Sequence, residues 1–484
     1  LVSNFSAGNF SKEDARQKLE KKYAPILEIT NKFTRKSVSF QSSKDNSIYG
    51  WLHYKEGFSP ELVKSFLNEF DLHNSDWILD PFNGSGTTTL VAKLNNINSV
   101  GFDILPTSKI SIIAKKNVLN YNIDELKKLV LAVKEIEVPK NYNKEINSIN
   151  ITKYAYPEKN AVFLSYIKKW IENNDFSVLA NNLLTLVIIN SLEVTSYTSK
   201  KGQYLSWDSR SEKVRLTNEK RALKGKPPLR KNIVRKKILD SQKVIVDSLD
   251  SIINDIKHVQ NKYKSNAAKL DFIQGSSLFE LPKLKSNSIS GVISSPPYCN
   301  RYDYTRTYAL ELAYLGLTDK EIKLLRQSLL SSTVENKSKI SLLKDFYEKN
   351  GKVDFFNQTL NTIESNLAYQ EILDALKRRN EVGDLNNKGV IRMVKNYFLE
   401  LGFVFAELER VCESGAHVVF INDNVRYGGE VIPVDFLTSS IAEDLGFKIN
   451  KIMCLKQLKG NSSQQMAKYG RVPLRKSITI WEKV

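Results

Sequence analysis

The sequence predicts an α/β protein whose sheet is interrupted by a large, mainly helical inserted domain. Three observations carry this expectation. The apolar run Trp77-Ile78-Leu79 ends in Asp80-Pro81, turns through Gly84, Ser85 and Gly86, and enters Thr87, Thr88, Thr89 and the periodic Leu90, Val91 and Leu94. That order reads as buried strand, tight turn and helix. A second short strand, Ser99 to Asp103, follows at once. The strand pattern then stops for residues 111–265 and resumes at Asp271 and again at Ser290.

The elements follow in order. Residues 1–50 read as a polar, mostly helical lead-in, and 51–110 carry the first two strands. The stretch 111–265 holds helices such as Ile123 to Val138 and Lys237 to Tyr263, and an insertion of this length is best treated as a second domain. Residues 266–317 return to the sheet. A second helical insertion, 318–390, carries Leu324, Leu325, Leu329, Leu330, Leu367, Ile372, Leu373 and Leu376 as packing faces. The last segment, 391–484, predicts a helix from Val394 to Arg410, a strand from Val418 to Asn422 and a helix from Val434 to Leu445. It ends in an antiparallel pair, Phe447 to Leu455 with Ser477 to Trp481, joined by a polar loop at 459–475.

Two motifs carry chemistry. The first, DPFNGSGTT at residues 80–88, lets backbone approach a ligand at its glycines and offers free N–H groups at a helix start. It lacks the Lys-Ser/Thr ending of a phosphate-binding loop and misses the GxGxxG spacing of a dinucleotide site. Asp103 closes the next strand, where a carboxylate can accept hydrogen bonds from ribose hydroxyls. The pair suits a cofactor with a ribose and no phosphates. The second motif is SSPPY at 294–298. Pro296 and Pro297 fix two φ angles and remove two N–H donors, leaving stiff, carbonyl-rich backbone. Ser295 Oγ and the Pro296 carbonyl are acceptors that can orient an exocyclic amine, and Tyr298 offers a face for a flipped-out base.

With both motifs present, the chain resembles the DNA amino-methyltransferases, which modify cytosine N4 or adenine N6. DPFNGSGTT is similar to that family's cofactor loop, and SSPPY to its catalytic tetrapeptide. The resemblance implies a Rossmann-like S-adenosylmethionine-dependent methyltransferase sheet of seven strands, with the ligands at the strands' carboxyl ends. It implies cofactor contacts from Asp80, Pro81, Phe82, Gly84, Ser85, Gly86, Thr87, Thr88 and Asp103. Phe58, Ser59 and Pro60 resemble the family's segment beside the methionine moiety. Asp271 to Leu281 resembles the third-strand motif near the adenine, with Ser276 where the family usually has an acid. Ser295, Pro296, Pro297 and Tyr298 are the implied catalytic residues. Serine before the prolines is mostly a cytosine-N4 feature in this family, which tilts the expectation toward cytosine. The implied chemistry is direct attack of the flipped base's amine on the sulfonium methyl, without a covalent enzyme intermediate or a metal. Cys299 follows Tyr298 rather than a proline and reads as incidental, unlike the nucleophile of cytosine-C5 enzymes.

Composition agrees with a polyanionic partner: the net charge is +19 and the pI about 9.4. The densest basic stretch is Lys200 to Lys237, with Tyr204 and Trp207 interleaved. Lys200, Lys201, Tyr204, Trp207, Arg210, Lys213 and Arg215, together with Arg301, Arg306 and Arg471, are the candidate contacts to duplex DNA. A solvated basic loop and a plain hairpin loop at 459–475 are the bland readings of the same residues. No apolar run of about eighteen residues predicts a membrane helix, and no signal peptide is visible. Three scattered cysteines fit a reducing compartment, and neither they nor the four histidines have metal-ligand spacing. A cytoplasmic, DNA-associated prokaryotic enzyme is the expectation, with a separately acting restriction endonuclease as its natural companion. The rivals are an adenine-N6 enzyme, an RNA-base amino-methyltransferase and a non-catalytic binding subunit. The oligomeric state is left open.

Overall fold

The computed structural model describes residues 4–42, 46–201, 204–229, 237–263, 267–456 and 466–484. Among them run twelve strands: β1 (Leu27–Thr30), β2 (Trp77–Asp80), β3 (Asn98–Asp103), β4 (Thr198–Lys201), β5 (Tyr204–Trp207), β6 (Leu270–Gln274), β7 (Ile289–Ser294), β8 (Cys412–Asp423), β9 (Val425–Tyr427), β10 (Glu430–Ile432), β11 (Phe447–Leu455) and β12 (Lys476–Lys483). The central sheet has eight of them, in the order β1-β11-β12-β8-β7-β2-β3-β6. Every neighbouring pair is parallel except those of β12, which runs antiparallel to both β11 and β8.

The sheet has one strand more than the resemblance implied. The additional strand is β1, which lies in the polar lead-in and adds itself parallel to the edge strand β11. Its burial is uneven, with Ile29 exposed and Thr30 buried, so no apolar alternation marked it in the sequence. The terminal antiparallel pair formed as expected.

Both faces of the inner strands are covered, which explains their continuous apolar character. Ile78, Ile293, Val419 and Ile421 face the helix Pro60–Glu69 through Leu62, Val63 and Phe66. Leu79, Val292, Val418 and Phe420 point the other way, into a core shared with the long helix Gly389–Val411. The expected alternation of side chains across a strand is thus kept, with apolar residues at both phases.

The helices of residues 111–265 bury Leu126, Leu129, Leu183, Leu186, Ile245, Leu249 and Ile256 in one cluster. That cluster also takes in Leu90 and Leu94 beside the Gly-rich turn and Tyr302, Tyr304 and Tyr308 after the second motif. The inserted helices therefore pack directly on the segment that follows the second motif. The basic part contains an antiparallel strand pair, β4 with β5, where a solvated loop or a phosphate-tracking segment was expected. No described helix is long and apolar enough to cross a membrane.

Candidate active site

Strand order changes direction between β2 and β7, since β3 and β6 extend the sheet one way and β8 the other. Such a switch point opens a crevice at the strands' carboxyl ends. Both motifs sit there. β2 ends in Asp80, and its neighbour β7 ends in Ser294. The two ends are clamped together. Ser294 Oγ donates to Asp80 Oδ1 at 2.6 Å, and Thr88 Oγ1 donates to the Ile293 carbonyl at 3.0 Å. The Phe82 N–H also reaches Asp80 Oδ1, at 3.0 Å. Burial raises the Asp80 carboxyl to about 7, against these hydrogen bonds, which pull it down.

The Gly-rich turn is shaped by two residues with positive φ, Gly84 at 50° and Gly86 at 86°. A Cβ on Gly84 would lie 2.8 Å from the Tyr54 ring, and one on Gly86 would lie 2.8 Å from Ile112. The turn is held from the next strand: the Asn83 N–H donates to the Phe102 carbonyl, and the Gly84 N–H donates to Asp103 Oδ2 at 2.9 Å. Asp103 Oδ1 accepts from the Leu105 N–H at 2.8 Å. Burial raises the Asp103 carboxyl to about 6 while these backbone donors oppose the rise. Lys115, buried beneath the turn, donates to the Ser85 carbonyl at 3.0 Å; burial lowers its ammonium to about 7.

Above the turn lies a cleft of about 710 Å³, counting its open mouth. Its walls include Phe58, Pro81, Phe82, Gly84, Ser85, Thr87, Asp103 and Ser276, all expected from the sequence, and it reaches Ser295 and Pro297 of the second motif. Two carboxyl groups, Glu56 and Asp103, line it, and among the described residues no Lys or Arg does. This donor set fits S-adenosylmethionine. The acids suit a cation, Asp103 suits a ribose, and Phe58, Phe82, Phe102 and Ile104 supply apolar walls. A polyphosphate finds no cationic partner there.

The remaining expected cofactor residues stand behind the wall. Asp80, Gly86 and Thr88 build the clamp and the turn. Ser59 caps the helix Pro60–Glu69, its side chain accepting from the Leu62 N–H at 3.2 Å, and Pro60 opens that helix. These two fix Phe58 in place and do not face the cleft.

In the second motif, Ser295 Oγ is 3.1 Å from the Ile421 carbonyl and 3.2 Å from the Tyr298 hydroxyl, in donor geometry to both. Pro296 is buried and off the cleft wall, and Pro297 is half-buried on it. Tyr298 is 8% exposed, and its hydroxyl accepts from Lys476 Nζ at 3.0 Å. Its ring already has the Lys476 ammonium 4.6 Å from the centroid, so it is not an open stacking face in this conformation. Cys299 is fully buried, and burial pushes its thiol far above the ordinary range, which makes it a poor nucleophile.

Sequence reasoning missed several site residues. Tyr54 stacks on Tyr308 with ring centroids 5.3 Å apart and braces Gly84. Glu56 lines the cleft, and burial raises its carboxyl. Ser328, Leu329 and Leu330, from the second insertion, close one end. Asn83 belongs to the matched motif but reads as a spacer; its side chain accepts from Thr89 Oγ1 and fits only because residue 101 is glycine. Lys476 and Asp423 lie on strands far from both motifs along the chain, and their short-range sequence carries no signal.

The basic candidates are dispersed. Lys200 is buried and ion-paired with Glu311, its ammonium 4.6 Å from the Tyr308 ring centroid. It acts as an internal strut rather than a free phosphate contact. Trp207 is buried under the Lys213 ammonium, which also holds the Asn150 and Ile151 carbonyls. Arg210 makes a two-pronged pair with Asp208 at 2.8 and 2.9 Å, and Arg215 pairs with Glu212 and Glu219. Arg306 pairs with Asp303 and Glu335, and Arg301 donates to Asn386 at 3.3 Å. Arg471 is exposed. The side chains of Lys201 and Tyr204, and the residues Arg230, Lys231, Arg235, Lys236, Lys459 and Asn461, lie outside the described set.

The comparisons with known proteins agree with the cleft. A family model for DNA methylase matches residues 8–115, which include the Gly-rich turn and Asp103. The chain is 49% identical over 482 residues to the type II methyltransferase M.BsoBI of Geobacillus stearothermophilus, covering 100% of this chain and 94% of that protein. It is 36% identical over 471 residues to the type II methyltransferase M.AvaI of Anabaena variabilis, covering 96% and 92%. A more distant match, at 26% over 339 residues, is the type II methyltransferase M.MjaII of Methanocaldococcus jannaschii, with 56% of this chain and 63% of that protein covered. Near-complete coverage at such identity, joined to a cleft built for a ribose-bearing cation beside an SPPY loop, makes this chain a type II DNA methyltransferase of the S-adenosylmethionine-dependent amino-methyltransferase family.

Proposed function

We propose that the enzyme methylates the exocyclic N4 amine of cytosine at a specific site in duplex DNA, as the modifying half of a restriction–modification system. The observation that carries the reading is Ser295, a neutral hydroxyl on the cleft wall where adenine-directed relatives mostly carry Asp or Asn. The full-length similarity to proteins named type II methyltransferases supports the biological setting.

In this reading the target base leaves the helix and enters the cleft beside Pro297. Ser295 Oγ and the Pro296 carbonyl accept the amine's hydrogens and turn its lone pair toward the methyl group. Bound S-adenosylmethionine supplies an electrophilic methyl on a sulfonium. Asp103 holds the ribose hydroxyls, and the backbone of Gly84 and Ser85 lies against the cofactor. Positioning of this kind lowers a barrier by roughly 7–11 kcal/mol at its ideal limit. The DNA backbone is held by the exposed basic residues around the helix Glu212–Ala222 and by Arg301, Arg306 and Arg471.

The test is nucleoside analysis by mass spectrometry after unmethylated DNA of mixed sequence is incubated with enzyme and cofactor. N4-methylcytosine is expected. N6-methyladenine overturns the base assignment, and methylation of RNA alone overturns the substrate.

A further inference from the structure

Lys476 opens β12 and pairs in register with Asp423, the last residue of β8. This places an ammonium beneath the catalytic loop. Its Nζ lies 3.0 Å from the Tyr298 hydroxyl, 3.6 Å from Asp423 Oδ1 and 4.6 Å from the Tyr298 ring centroid. The residue is 9% exposed. Burying an ammonium is unfavourable unless it is paired, and an apolar side chain could fill the same space at less cost. Asp423 supplies the charge partner. Its Oδ1 is buried and makes no hydrogen bond, so the lysine is the cation that compensates it. The remaining acid nearby is Glu56, on the cleft wall.

We propose that Lys476 is a positioning residue for methyl transfer, holding the Tyr298 hydroxyl as an acceptor for Ser295 and, through it, the lone pair that Ser295 presents to the target amine. This role rests on the one given to Ser295 above. Counting protons sets the order of the network. An ammonium has donors and no acceptor, so the lysine occupies a lone pair of the Tyr298 oxygen. Ser295 Oγ donates to the same oxygen at 3.2 Å. Ser295 has a single proton and two oxygens within reach. Both acceptors, the Tyr298 oxygen and the Ile421 carbonyl at 3.1 Å, belong to buried residues, so that proton is turned into the protein and away from the target amine. The serine lone pairs are left over, on a side chain that lines the cleft. An amine hydrogen needs such an acceptor. Without the lysine, the Tyr298 hydroxyl loses the donor that holds it beneath Ser295, and the serine proton loses a fixed acceptor.

The experiment compares wild type, Lys476→Met and Lys476→Arg on unmethylated plasmid DNA, with cofactor affinity followed by calorimetry. Lys476→Met should lose on the order of 10–100-fold in kcat, the range of one charge-assisted hydrogen bond. Cofactor affinity and both KM values should stay within about twofold, since no binding group is removed. Lys476→Arg should recover part of the loss. In a Tyr298→Phe background, Lys476→Met should cost nothing more, because the hydroxyl it acts through is gone. Unchanged kcat, an undiminished loss in the Tyr298→Phe background, or an arginine variant no better than methionine overturns the proposal. If Lys476→Met does not fold, Tyr298→Phe decides alone: it must carry the same kcat loss at intact cofactor affinity, and wild-type turnover overturns the proposal. A wild-type enzyme that methylates adenine refutes the cytosine reading while leaving the lysine result legible.

Discussion

The cleft and the basic insertion handle charge in opposite ways. The cleft is lined by two carboxyl groups and, among the described residues, no Lys or Arg, and its acids are raised by burial. The insertion crowds basic residues on an exposed helix and loop, Glu212–Ala222 and the residues after it. One region suits a small cation; the other, in the reading proposed above, meets a polyanion. They also differ in rigidity of specification. Each cleft residue is fixed by close neighbours, whereas Lys220, Lys224 and Lys226 are exposed side chains. A single substitution should therefore be felt sharply in the cleft and only incrementally on the basic surface.

The largest effect should come from filling the turn. Gly84→Val places a branched side chain at positive φ and against the Tyr54 ring. Strain of about 2–3 kcal/mol, relieved by pushing Tyr54 into the cleft, should weaken cofactor binding roughly 100-fold by calorimetry. Wild-type affinity in that variant would mean the turn does not touch the cofactor.

Next comes Asp103→Asn, which should weaken cofactor binding roughly tenfold. The wild-type carboxyl sits at about 6, so its affinity for cofactor should fall as pH drops through 6, and the Asn variant should lose that dependence. Folding stability depends on pH in the opposite sense. A carboxyl raised on folding contributes stability below its unfolded value that is lost as pH rises through about 6. The cofactor-free Asn variant should accordingly lose this pH dependence of stability, by chemical denaturation at a series of pH values. A dependence retained in that variant would place its source in another group.

Smaller still, Thr88→Val removes the hydrogen bond to the Ile293 carbonyl that ties one motif to the other. A loss of about 1 kcal/mol of unfolding free energy is expected, with turnover falling more than cofactor affinity because the catalytic loop loosens. The smallest effect belongs to the insertion. Replacing Lys220, Lys224 and Lys226 together should leave cofactor binding untouched. It should lower the slope of log DNA affinity against log salt by up to about 0.9 for each phosphate no longer neutralised. An unchanged slope would move the DNA path elsewhere.

The same contrast explains what was legible in the sequence. The Gly-rich turn and the SPPY loop need particular backbone at adjacent positions, so short motifs announced them, along with Asp103 at its strand end. The terminal strand pair and the buried inner strands were equally visible as apolar runs. The pairing of β4 and β5 was missed because Lys200 and Lys201 read as surface charge, although Lys200 is neutralised by Glu311, far along the chain. β1 was missed for want of an apolar face. Lys476, Asp423 and Glu56 meet only through sheet register and the path of a loop, which no local pattern encodes. Charge composition announced a polyanion partner but did not distinguish internal struts from surface groups.

The central claim is that the cleft divides its labour, with the turn and Asp103 holding cofactor and Ser295 presenting the amine. Its most direct test is Ser295→Ala, assayed on one preparation for cofactor affinity by calorimetry and for single-turnover methylation of DNA. Unchanged cofactor affinity is expected, with a turnover loss on the order of 100-fold or more, as for removal of one preorganised polar group at a reacting centre. A parallel loss of cofactor binding, or turnover close to wild type, would contradict it.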